Sequence, residues 1–195
     1  MCPIENIVPA PQGRSRGLLF TAARMFTEQR FGLEAVEHCL RQLDESDQAI
    51  LRSLIPMGWY PLEPTVQFMR VLDDLYGSGD LRLCREIGMF SAEWQLTVLH
   101  RFVMWLKPVE WLMHRGMTNW RQSHDTGRWE TEQLGPTHIV GRLYEFAVAD
   151  LAWCVRLAGF LERAVSLTGA QNVEISETRC RARGGECCKF VGRWT

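Results

Sequence analysis

The stretch Glu177-Thr178-Arg179-Cys180, with Arg183-Gly184-Gly185 and Cys188-Lys189-Phe190-Val191-Gly192 behind it, decides how this chain reads. Arg179, Arg181 and Arg183 alternate with Cys180 and Ala182, so a strand here turns its arginines to solvent and Cys180 inward. The Gly-Gly pair marks a turn, which predicts a hairpin of Val173 to Arg183 with Cys187 to Trp194. With Arg183-Gly184-Gly185 as a three-residue turn, Cys180 falls directly opposite Cys188, and Cys187 points to the other face as a spectator. Glu177 precedes Cys180 by three residues, an offset that a regular strand sends to opposite faces. A bulge or break near Thr178 is therefore required for the two to meet.

The segment upstream, Phe146 to Leu167, reads as a helix with Leu151, Cys154, Val155, Ala158, Leu161 and Val165 on one face and Gly169 ending it. Together the two segments spell C-x22-E-x2-C-x7-C: Cys154, Glu177, Cys180 and Cys188. Three thiols and a carboxylate are ligand types that suit a closed tetrahedral zinc site, tying the helix to the hairpin. Four protein ligands leave no open position for water or substrate, which points to a sensor rather than a catalyst. The spacing lacks two tight C-x2-C knuckles, so the residues alone leave a second reading open. In it Cys154 is a small buried hydrophobe, and Cys180 and Cys188 are a cross-strand thiol pair.

This part of the chain resembles the 4-vinyl reductase domain, the ligand-binding module of bacterial aromatic-responsive transcriptional activators. Members of that family end with a helix, then E-x2-C, a Gly-containing turn, a cysteine and an aromatic strand, as residues 141–194 do here. The resemblance implies a structural zinc held by Cys154, Glu177, Cys180 and Cys188, as in the phenol-sensing members. The turn here has Gly-Gly where relatives often have Gly-Asp, and Cys187 adds a neighbouring thiol, an alternative to Cys188 that the resemblance leaves open. The N-terminal half, including Trp59-Tyr60-Pro61, is similar to stand-alone bacterial relatives of the domain. In the aromatic-sensing relatives the ligand sits in an apolar pocket between helices and sheet, and the signal passes to an attached ATPase and DNA-binding domain. This chain carries neither, so the expected output is a protein partner or a homodimer.

Working toward the N-terminus, the pattern is helical. Gly32 to Leu43 aligns Ala35, Val36, Cys39, Leu40 and Leu43 on one stripe, with His38 on the polar side. Asp44 or Ser46 caps a helix through Ile55, and Pro64 opens one that runs to Tyr76 and stops at Gly77. Ser91 opens an apolar helix to about Leu106, and Pro108 restarts a short one through His114. From Arg121 to Pro136 the helix signals fade, and strands are expected within Gly127 to Gln133 and around His138 to Leu143. Residues 1–17, with Pro3, Pro9, Pro11, Gly13 and Gly17, read as a flexible arm, leaving 18–195 as a single ligand-binding domain. The predicted class is α+β: a helical N-terminal layer packed on a small antiparallel sheet with a C-terminal β-hairpin.

Composition narrows the function. At 46% apolar and 23% charged the chain is globular, and a net charge of -1 exerts no pull toward nucleic acid or anionic lipid. No signal peptide or membrane span is legible, so the expected location is the cytoplasm, where seven cysteines stay reduced. Gly-x-Ser-x-Gly and phosphate-loop patterns are absent, so no enzymatic activity is expected. Trp94, Phe102 and Trp105 share one helical stripe and Trp111 follows. These rings are either filled core or the wall of a pocket for a small hydrophobic or aromatic ligand, with Tyr144 or His100 as its polar group. The wider superfamily includes haem-based nitric oxide sensors. Here, however, His100 falls at the polar edge of its helix, and the Tyr-x-Ser-x-Arg signature is missing. His114, His124 and His138 read as surface or loop residues. The rival class is an interaction scaffold without a small ligand, like the trafficking-complex subunits of related fold.

Overall fold

A computed structural model describes residues 13–95, 109, 111 and 115–195, and it shows the expected α+β class. Five helices come first: α1 (Leu18–Phe31), α2 (Leu33–Arg41), α3 (Glu45–Ser53), α4 (Glu63–Tyr76) and α5 (Arg82–Gln95). A small ribbon of β1 (Arg14–Arg16) and β2 (Trp59–Pro61) flanks them. After α6 (Gly116–Ser123) come β3 (Arg128–Gly135), β4 (His138–Tyr144), α7 (Leu151–Ser166), β5 (Glu174–Arg179) and β6 (Cys188–Arg193). The sheet is antiparallel in the order β3-β4-β6-β5.

The last residues of the expected arm are built into the fold. Ser15 pairs with Tyr60 and is buried, and the Gly13 carbonyl accepts from Leu62 N at 3.1 Å. Helix α1, which the sequence reading does not single out, buries Leu19, Phe20, Ala22, Ala23, Phe26 and Thr27. Phe20 meets Phe68 of α4 edge-on, with ring centroids 5.1 Å apart. The predicted stripe of α2 is buried as read. His38 stays half-buried, with Nδ1 3.1 Å from the Tyr76 hydroxyl.

Two helix starts differ from the sequence reading, each for a local hydrogen-bonding reason. Helix α5 opens at Arg82 rather than Ser91, which lies buried in its interior. The fully buried Asp73 of α4 accepts from Leu81 N (2.7 Å) and Leu83 N (2.9 Å), and Asp80 accepts from Arg82 N at 3.0 Å. These carboxylates satisfy the free N–H groups of the first turn. Helix α7 opens at Leu151 rather than Phe146 because Asp150 caps it, accepting from Ala152 N at 2.8 Å. The same carboxylate takes both Nη2 and Nε of Arg70 on α4, a fork that pins the start of α7 to the helical layer.

Helix α7 is covered on two sides, by α5 and by the sheet. Its buried set therefore includes Trp153 and Arg156 as well as Cys154 and Ala158. Against α5 it packs through Gly88 and Gly159. A Cβ on Gly88 would overlap the Arg156 carbonyl, and one on Gly159 would overlap the Arg85 carbonyl. Because both obstacles are backbone, neither can move aside. Gly88→Ala is expected to destabilise the fold by about 3 kcal/mol, read from the midpoint of urea unfolding, through forced separation of the two helices.

Candidate metal centre

Helix α7 presents Cys154 toward the hairpin, and the hairpin bends to meet it. The register slips between Glu177 and Arg179, the break that joining Glu177 to Cys180 requires. Beyond the break the chain departs from the predicted strand. Cys180 does not stand opposite Cys188 in the ladder; there Leu143 of β4 is the partner of Cys188. Instead Cys180 precedes a 3-10 turn, Arg181–Arg183, whose Arg183 N and Gly185 N both donate to its carbonyl at 3.1 and 2.9 Å. Gly184 closes the turn in the left-handed region, at φ 82°. The expected exposed arginine stripe is broken by the same turn. Arg179 and Arg183 are exposed, whereas Arg181 folds back to donate to the Phe146 carbonyl.

The outcome is a cluster in which one ligand atom each from Cys154, Glu177, Cys180 and Cys188 lies within 4.8 Å of all the others. The Cys154 sulfur is 3.5 Å from that of Cys188 and 3.6 Å from that of Cys180. Zinc–sulfur bonds of about 2.3 Å at tetrahedral angles put sulfurs about 3.8 Å apart, so the spacing fits a bound ion. All three cysteines are buried, and Glu177 is half-buried with Oε1 sequestered and without a hydrogen-bond partner. A buried carboxylate oxygen with no donor is costly unless a cation faces it.

The electrostatics point the same way. Hydrogen bonding from Cys154 and from the Arg181 amide (3.4 Å) draws the Cys188 thiol down to about 7, despite burial. Its donor Cys154 is pushed up, by that bond and by burial, and burial with the Glu177 contact lifts Cys180 to about 11. Three thiols and a carboxylate this close cannot ionise together without a positive charge among them. The other core thiols differ: burial lifts Cys39 to about 11 and Cys84 to about 12, and neither belongs to the cluster. Cys187 also stands outside it, although it too is buried. A cleft of about 320 Å3, lined in part by Glu177, Cys180 and Gly185, opens beside the centre.

Only Trp94, Trp111 and Tyr144 of the predicted pocket fall among the described residues. His100, Phe102 and Trp105 lie outside the described residues, as does His114. Trp94 is half-buried near the end of α5, and Trp111 is half-buried with the Arg115 guanidinium 5.2 Å from its ring. Tyr144 ends β4 under Arg128, at 4.7 Å. Among the described residues, a separate set of rings meets beside α7 and the sheet: Trp120, His124, Trp129, Phe146, Trp153 and Phe190. Trp120 stacks on His124 at 4.0 Å and on Trp129 at 6.0 Å, and Trp129 reaches Phe190 at 6.0 Å. This cluster borders the metal centre twice, since Trp153 adjoins Cys154 and Phe190 follows Cys188 by two residues.

His124 is thus a correction to the sequence reading: it is buried, not a surface residue. Its polar surroundings in sequence, Arg121 to Gly127, hide that Trp120, Phe146 and Trp153 enclose the ring from three elements. Burial and the nearby Arg156 charge push the imidazole down to about 3. Burial pushes Arg156 down too, to about 10, still far above neutral pH.

Comparison with known proteins gives one family match and several structural likenesses. The family model of the 4-vinyl reductase domain matches residues 147–193, the segment that supplies all four cluster residues. No curated protein sequence matches the chain. Among solved structures, an H-NOX protein from S. oneidensis in the Fe(II)NO ligation state superimposes with a TM-score of 0.72. It is 13% identical, and the match covers 92% of this chain and 99% of that one. The Fe(II) unliganded H-NOX protein from K. algicida gives 0.68 at 13% identity, covering 92% and 96%. At such identities the likeness establishes a shared fold.

Two outcomes are expected from this site. Cys180→Ser should lower the melting temperature sharply, by several kcal/mol of stability, whereas Cys187→Ala should cost only about 1 kcal/mol; equal losses would remove Cys180 from the ligand set. For His124 the folded value lies below the ordinary 6.5, so below that pH the unfolded chain binds a proton that the folded one refuses. Stability should therefore fall as pH drops from about 6.5 toward 3, by about 1.4 kcal/mol per unit, and His124→Gln should remove that slope from urea titrations.

Proposed function

We propose that this chain is a non-catalytic sensory domain that binds a small hydrophobic or aromatic molecule and is braced by one structural zinc ion. The observation that carries the reading is the convergence of Cys154, Glu177, Cys180 and Cys188 at the junction of α7 with the hairpin, within the segment that matches the 4-vinyl reductase domain. The donor set is closed and sulfur-rich, as suits a structural site. Zinc there would join α7 to β5 and β6. Ligand binding would then be felt as a shift of α7 against α5, passed to a protein partner or to a second copy of the chain. Cytoplasmic residence belongs to the same proposal. No helix among the described residues is long and apolar enough to cross a membrane.

A second reading, haem-based gas sensing, is favoured by one observation, the likeness in fold to H-NOX proteins. Against it stands the absence from the sequence of the Tyr-x-Ser-x-Arg signature. Metal analysis and an absorption spectrum separate the two. Protein purified without a metal-affinity column should contain about one zinc per chain, lack an intense violet-edge band, and take up the neutral dye Nile red in a saturable manner. A strong violet-edge band with iron in place of zinc would transfer the assignment to haem. A zinc-free, colourless protein with no dye uptake would leave the scaffold reading in possession.

A further inference from the structure

Five buried side-chain nitrogen or oxygen atoms lack a hydrogen-bond partner among the described residues: Glu177 Oε1, His124 Nε2, Trp153 Nε1, Arg156 Nε and Arg163 Nε. The first belongs to the metal centre, and Arg163 is ion-paired to Glu93 through Nη2. The remaining three gather in one place. The Trp153 ring lies 5.3 Å from the His124 ring, and the Arg156 guanidinium sits 4.9 Å from the Trp153 ring. Relative exposure is 0% for Trp153, 4% for Arg156 and 8% for His124. Among the described residues no carboxylate is paired with Arg156. A buried guanidinium without a counter-ion among the described residues and two further orphaned nitrogens are each expensive in an apolar core, and together they form a polar set that lacks a partner.

We propose that His124, Trp153 and Arg156 bind the carboxyl group of a small aromatic acid, whose ring lies against Trp120 and Phe146. The proposal rests on the ligand-binding reading above and names the chemistry of the ligand. Arg156 Nε–H and Trp153 Nε1–H are donors, and a carboxyl oxygen is the acceptor that suits a guanidinium. His124 Nδ1 faces the Trp120 carbonyl at 3.4 Å, which assigns the ring proton to Nδ1 and leaves Nε2 as a bare acceptor. One proton taken from solution, shared between the carboxyl and Nε2, completes the set. The charged groups around that proton are Arg156 on α7, Arg14 and Arg16 on β1, whose Ser15 bridges to His124, and, at the surface, Arg121, Asp125 (paired with Arg14), Arg128 and Glu145. These surface residues line, with His124, Thr126 and Gly127, a cleft of about 440 Å3, of which His124 is the buried member.

The test uses the full, metal-loaded chain and follows tryptophan fluorescence while benzoate, phenylacetate or indole-3-acetate is added, with the corresponding alcohols as neutral counterparts. At least one acid should bind about tenfold or more tighter than its alcohol, and more weakly at pH 8 than at pH 6. Arg156→Met should keep or raise the melting temperature, because it removes an unpaired buried charge, and lose about tenfold or more in acid affinity. Should that variant fail to fold, Arg156→Lys retains the charge without the Nε–H and should show the same loss. Alcohols binding as tightly as acids would overturn the head-group assignment while leaving the sensor reading intact. Undiminished acid affinity in the folded Arg156 variant would do the same. No binding by either class at millimolar concentration would overturn both.

Discussion

Backbone contact between α5 and α7 is the constraint on which the remaining structure depends. Two glycines, Gly88 and Gly159, let each helix approach a carbonyl of the other, of Arg156 and Arg85 respectively. At that distance α7 is held by shape on one side, and the Asp150–Arg70 fork fixes where it starts. Ion pairs of Arg85 with Glu162 and of Arg163 with Glu93 run along the rim of the same contact. Among the described residues, this one helix contributes to both clusters: Cys154 faces the hairpin, while Trp153 and Arg156 enter the core beside it.

The Cys154–Glu177–Cys180–Cys188 cluster and the aromatic cluster are physically continuous. Arg181 donates its backbone N–H to the Cys188 sulfur and its guanidinium to the Phe146 carbonyl, so one residue of the 3-10 turn touches both. Phe146 in turn packs against Trp120, His124 and Trp153. A ligand that displaces Phe146 or Trp153 would therefore act on the geometry of Cys154 and Cys188 through one or two contacts. Conversely, zinc bound to the cluster would hold those rings in register, since metal-binding energy in such a site is also folding energy.

Legibility in sequence follows the range of the interaction. The α2 stripe, the strand near His138 and the break near Thr178 rest on periodicities and offsets of a few residues, and each stands close to its predicted place. The starts of α5 and α7 depart from the local signal where a neighbouring group intervenes. Asp73, eight and ten residues away from the amides it accepts, outweighs the local appeal of Ser91 as a cap. The relation of Cys180 to Cys188 departs from it too. A regular hairpin would pair them across strands, but a 3-10 turn brings them into one cluster by a different path.

By itself the sequence singled out Cys154, Glu177, Cys180 and Cys188, which the fold brings within 4.8 Å of one another. Three thiols and a carboxylate at C-x22-E-x2-C-x7-C are soft-metal ligand types, although the spacing alone also admits a thiol pair in the core. It also determined the class, because apolar periodicity passes from helical to alternating along the chain. Only the tertiary structure decided that His124 and Arg156 are buried. A polar residue sits inside when the elements around it leave no path to water, and that enclosure is made by α6, α7 and the segment before α7 together. No local pattern contains it, because the rings that seal His124 come from Trp120, Phe146 and Trp153, up to 29 residues away in the chain.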